Sequence, residues 1–130
     1  MSFTFKQASA ACAFATLAMI GVDAAAATIK VTCEARGTSR SKISIDGKDL
    51  APGTYTTVAV SGSNMAVSKP EATIGDEIET DYDSRPADIR AGATQIAATF
   101  IVGGSVTGKI VNATGHTVVS DTVACRVRSR

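Results

Sequence analysis

The chain has 130 residues, 45% of them hydrophobic and 19% charged, with a formal net charge of +1. This balance excludes a disordered chain, a collagen-like repeat and a strongly nucleic-acid-binding composition. The length suits one domain, and no constellation of residues rises to a catalytic or ligand signature.

The N-terminal segment reads as an address. Met1 to Lys6 carry one positive charge, and Ala8 to Val22 are uncharged, rich in Ala, and include Phe14, Leu17, Met19 and Ile20. Asp23 and four alanines follow. A basic head, an apolar centre and small residues before a cut predict a secretory signal peptide over residues 1–27, with cleavage after Ala27 give or take about two residues. The apolar centre, interrupted by Ser9 and Thr16, is shorter than the roughly 20 residues that a membrane span needs. Cys12 has too little apolar sequence before it for a lipoprotein cut, so it is expected to leave with the leader.

Residues 28–130 are then expected to form a single domain. They carry 12 Lys and Arg against 11 acids, which argues against long-range steering toward a polyanion. Two cysteines remain, Cys33 and Cys125, and an even count in an exported chain predicts a disulfide. Closing so long a loop stabilises by about 4–5 kcal/mol on the chain-entropy model. A redox or zinc pair fits less well, because catalytic dithiols favour close Cys-x-x-Cys spacing and zinc sites want further ligands.

Val, Ile and Thr together number 34 in this segment, while Leu50, Met65 and Phe100 are each the only one of their kind. That usage favours strands. Ile29, Val31 and Cys33 alternate with Lys30, Thr32 and Glu34, as Val123, Cys125 and Val127 do with Arg126 and Arg128, so both cysteines are expected to face inward. Further strands are predicted over Lys42–Asp46, Tyr55–Ser61, Asn64–Ser68, Glu77–Asp83, Gln95–Val102, Val106–Asn112 and Thr117–Arg128. Turn pairs such as Asp46-Gly47, Pro52-Gly53, Ser61-Gly62, Gly103-Gly104 and Thr114-Gly115 separate them. Between Ser84 and Thr94 a single helical turn around Ala87–Arg90 is predicted, on a crossover between sheets.

The sharpest local feature is Glu77, Glu79, Asp81 and Asp83, alternating with Ile78, Thr80 and Tyr82 and preceded by Asp76. On a strand these four carboxylates share one face at about 6.8 Å intervals. Such neighbours repel by only about 0.6 kcal/mol each in water, so a solvated or cross-strand-paired face is the expectation. Calcium binding by residues 76–83 is the alternative, completed by Asp88 or loop carbonyls, but ligands must converge whereas a strand spreads them in a line. The complementary feature is Arg126, Arg128 and Arg130, with Lys109 and Lys42 as company. This basic ladder can lie opposite the acidic one in the same molecule, or meet the acidic edge of the next subunit.

His116, the only histidine, sits in a predicted hairpin without an evident partner. The run Gly103-Gly104-Ser105-Val106-Thr107-Gly108 is out of register for a nucleophile elbow and lacks the Gly-Lys ending of a phosphate loop. Tyr55, Tyr82 and Phe100 are too few for a nucleic-acid stacking platform. Asn112-Ala113-Thr114 matches a glycosylation sequon.

Strand count, turn spacing and one disulfide resemble an immunoglobulin-like antiparallel β-sandwich, although the tryptophan expected between the cysteines is absent. The expectation is therefore an all-β, non-enzymatic, exported structural or protein-interaction module without a cofactor, acting on another protein or on itself. A calcium-binding protein and a self-assembling surface or fibre subunit are the alternatives. The leader makes the bacterial periplasm or the extracellular space the expected location, with no nucleic acid and no membrane span in the mature chain.

Overall fold

The computed structural model describes residues 26–129. Of the leader expected over residues 1–27, only Ala26 and Ala27 fall in that range, and Cys12 and Arg130 lie outside it. The described residues form β1 (Thr28–Arg36), β2 (Arg40–Lys48), β3 (Thr54–Ser61), β4 (Asn64–Val67), β5 (Glu71–Ala72), β6 (Ile78–Asp83), α1 (Pro86–Arg90), β7 (Thr94–Gln95), β8 (Ser105–Asn112), β9 (Thr117–Ala124) and β10 (Arg126–Arg128). Two five-stranded sheets pack together. The first has the order β9-β8-β3-β4, with β5 also paired to β3, and the second the order β10-β1-β2-β6-β7.

Alternation sets the core, because a side-chain period of two puts every second residue on one face. Ser41, Ile43, Ile45 and Gly47 of β2 are buried, as are Tyr55, Thr57, Ala59 and Ser61 of β3 and Val106, Gly108 and Ile110 of β8. Two glycines stand where the sheets approach too closely for a Cβ. A Cβ at Gly47 would stand 2.5 Å from Ile110 Cδ1, and one at Gly108 would stand 2.7 Å from Val31 Cγ2. Gly47 is therefore an interior strand residue and not the turn that Asp46-Gly47 predicts. The reversal comes later, at Asp49, whose φ is 59°.

Four other expectations need correction. Gln95–Val102 is not a strand: regular pairing ends at Gln95, and the chain then crosses from the second sheet to the first. Along this crossing, buried side chains take the place of a ladder. Ser41 Oγ donates to Ala98 O (2.8 Å) and accepts from Ile101 N (3.2 Å), while Ser61 Oγ accepts from Val102 N (2.8 Å) and donates to Ser105 O (2.7 Å). Ile96 and Phe100 are buried from the same segment. The helical turn lies at Pro86–Arg90, near its predicted place, but it joins β6 to β7 within one sheet, and the crossover follows it.

Thr117–Arg128 is likewise two strands. β9 runs antiparallel to β8, the chain breaks at Cys125, whose N–H donates to Gly104 O (2.8 Å), and β10 then pairs parallel with β1. Nor is the sandwich wholly antiparallel, since β6 and β7 also pair in parallel.

The Cys33–Cys125 disulfide, with a Cα–Cα distance of 4.7 Å, closes the point where the last strand changes sheets. It suggests an oxidising, extracytoplasmic environment. No helix among the described residues is long and apolar enough to cross a membrane.

Candidate functional site

The charged side chains gather on the outer face of the second sheet, because β1, β2 and β6 each alternate an apolar inward residue with a polar outward one. Pairing register turns that alternation into rows. Arg126, Glu34, Lys42 and Asp83 are successive neighbours across β10, β1, β2 and β6, and Lys30, Asp46 and Glu79 form a second row. Thr32, Ser44 and Asp81 lie between them, with Ser44 Oγ donating to Asp81 Oδ1 at 2.9 Å.

The four acidic residues singled out by the sequence do not form one solvated line. Glu77 precedes β6 and forms an isolated bridge with Ile74. Glu79 and Asp81 stand exposed on β6. Asp83 is only 2% exposed, because it lies against Arg40 at the base of α1. Its carboxylate accepts from Arg40 Nε (3.0 Å), Arg40 Nη2 (2.6 Å) and Arg85 N (3.0 Å). Asp88 completes the corner by accepting from Arg40 Nη2 (3.3 Å) and Arg85 Nε (2.6 Å). Burial opposes the charge on Asp83, but the Arg40 and Arg85 donors outweigh it and hold the carboxyl below its ordinary range. The cluster fastens α1 to the end of β2 and β6.

Two other carboxylates are perturbed the opposite way. Burial, reinforced by the nearby charge of Asp81, raises Asp46, and its Oδ1 has no hydrogen-bond partner. Burial also raises Glu71, against the hydrogen bond from Thr80 Oγ1 at 3.4 Å. Among the described residues, no group of three or more His, Cys, Asp or Glu is arranged to hold a metal ion.

Arg126 and Arg128 lie on β10 in the same sheet as the acidic strand, separated from it by β1 and β2. Glu34 accepts from Arg36 Nε at 2.7 Å and lies 3.3 Å from Arg128 Nε. The Arg36 hydrogen bond, helped by the charge of Arg128, lowers the Glu34 pKa. Arg126 and Lys42 have no ion-pair partner among the described residues and flank Glu34 in one groove of about 390 Å3, which Cys33, Ala124, Thr32 and Ser44 also line.

His116 lies on the exposed β8–β9 hairpin, its Nδ1 3.0 Å from Thr114 Oγ1. The sequon residue Asn112 caps the same turn, Oδ1 accepting from Thr114 N, Thr114 Oγ1 and His116 N at 3.1, 2.8 and 3.0 Å.

No protein-family model matches the chain, and no curated protein or solved structure aligns with it. Rows of fixed, alternating charge can select a partner and set its register, as complementary potentials do at protein interfaces. Sequence reasoning missed Arg40 and Ile74. The signal for Arg40 was its place two residues before Lys42 on the same outward row, opposite the end of the acidic strand.

Proposed function

We propose that the chain is an exported immunoglobulin-like module that acts by binding another protein, or a further copy of itself, and not by catalysis. The observation that carries this reading is the separation of charge across the second sheet. Glu79, Asp81 and Asp83 stand on β6 and Asp76 and Glu77 lie on the turn leading into it, whereas the opposite edge of the sheet ends in Arg126 and Arg128. A face with one sign at each edge favours oriented encounter with a partner of matching pattern.

Topology supports the immunoglobulin-like part of the reading. The central strands β1-β2-β6 of one sheet and the order β9-β8-β3-β4 of the other resemble that sandwich type, to which the parallel edge strands β10 and β7 are added and in which the buried tryptophan is missing. The disulfide supports a working location in the periplasm or outside the cell.

The test is affinity capture of the oxidised protein after cross-linking in its own host, wild type against Arg126→Glu, with thermal melts of both. The reading expects a specific complex that the charge reversal weakens about tenfold or more while the melt is unchanged. Capture that is indifferent to the reversal refutes the basic edge as the contact.

A further inference from the structure

Ile74, on a tight turn, is 87% exposed, more than any other large hydrophobic side chain among the described residues. The turn holds it rigidly. Ile74 N donates to Glu77 O (2.9 Å), Glu77 N donates back to Ile74 O (3.2 Å), and Gly75 between them has a φ of 65°. The side chain is thus a pre-organised apolar knob with the carboxylates of Asp76 and Glu77 beside it, both exposed and without an ion-pair partner among the described residues.

The groove beside the disulfide has the complementary chemistry. Cys33 and Ala124 give it apolar lining over the buried Val31, its one carboxylate, Glu34, is engaged by Arg36 and Arg128, and Lys42 and Arg126 remain as two cations without ion-pair partners among the described residues. Knob and groove lie toward opposite edges of the second sheet, the knob leading into β6 and the groove running along β1 where β10 joins it. A contact between them cannot be made within one molecule and leaves a free knob and a free groove after each addition, the condition for head-to-tail growth.

We propose that the chain self-associates head to tail, the Ile74 knob of one copy seating in the Val31–Cys33–Ala124 groove of the next, with Asp76 and Glu77 meeting Lys42 and Arg126. This rests on the binding reading above and names a second copy as the partner. The apolar knob supplies burial, the charges supply orientation, and the rigid turn reduces the ordering cost of docking.

Sedimentation velocity on the oxidised protein from its own host tests the contact. At low ionic strength the wild type is expected to grow past dimers as concentration rises, and added salt is expected to reverse this. Ile74→Ser and Arg126→Glu each remove one half of the contact at an exposed residue, so both are expected to stay folded and to need about tenfold or more higher concentration to associate. An equimolar mixture of the two variants retains one intact groove and one intact knob per pair. It is expected to form a two-chain species and stop there. A wild type that stays monomeric or stops at two subunits, a variant that associates as the wild type does, or a mixture that stays monomeric overturns the proposal. A monomeric wild type that still captures a different protein through Arg126 overturns only this contact and leaves the binding reading standing.

Discussion

The outer faces of the two sheets are built on the same pleat and carry different surfaces. Across the second sheet a row reads Arg126, Glu34, Lys42, Asp83, each charge opposite its neighbour in register. Across the first sheet the corresponding rows read Thr122, Thr107, Val60, Met65 and Ser120, Lys109, Val58, Val67, with Lys109 the lone charge in them. A one-residue slip between β1 and β2 would break the opposite-charge pairing and turn the core side outward, so charge and burial specify the same register. The first sheet has less charge to use, and its alignment rests on inward features such as Gly108 against Val31 and the buried Ser61. Its edge strand β9 carries a single charge, Asp121, on the row opposite Gly108, and an inward-row carboxylate discourages a further strand from adding there. The charged face is thus suited to choosing partners, while the Val/Thr face sits beside an edge that resists them.

Perturbing the parts that hold these faces in place sharpens the comparison. The largest effect is expected at the seam: Cys33→Ser with Cys125→Ser should cost about 4–5 kcal/mol in denaturant unfolding. Next comes the corner of the charged face, where Asp83→Ala leaves the nearly buried Arg40 with only its 3.3 Å contact to Asp88 and should cost about 3 kcal/mol. The double variant Asp83→Leu with Arg40→Met should recover much of that loss, since no unpaired charge remains. On the inward side of the other sheet, Gly108→Val should cost about 1–3 kcal/mol by overpacking against Val31 and Ile45. If Gly108→Val proves harmless, the close approach of the sheets is not what selects glycine there.

Smaller effects follow from pH and from the isolated charge. Asp83 is held below its usual 3.8, so its contribution is present above that pH and is lost as pH falls through the lower folded value. Asp46 is shifted upward from 3.8, which means its penalty is present above the folded value and is relieved as pH falls toward 3.8. Stability should therefore rise slightly on mild acidification and then fall steeply, and Asp46→Asn should reduce the rise in thermal melts across that window, leaving the part due to the likewise raised Glu71. Lys109→Ser, on the other face, should change stability by no more than about 0.5 kcal/mol.

Much of this fold was legible in the sequence because alternation and turn residues are local signals. β3, β4, β6 and β8 lie within about a residue of the predicted segments, and the cysteine pairing followed from a count of two. The failures share a cause. At Gly47, at the crossing after Gln95 and at Cys125, the deciding partner is distant in sequence: Ile110 for the glycine, Ser41 and Ser61 for the crossing, and Gly104 for the strand break. The same holds at the candidate site. Periodicity could place Glu79 and Asp81 on a solvated face, but it could not reveal that Asp83 ends beneath Arg40, 43 residues earlier.

The disulfide also imposes an order in time. Cys33 and Cys125 are 92 residues apart, so a ribosome adding about 5–20 residues per second makes the first thiol roughly 5–20 s before its partner exists. During that interval β1 and β2 can already pair, whereas β9 and β10 have not been synthesised. The bond can form only once β9 has been made, so pairing of β1 with β2 does not depend on it, whereas the docking of β10 beside β1 can be locked by it.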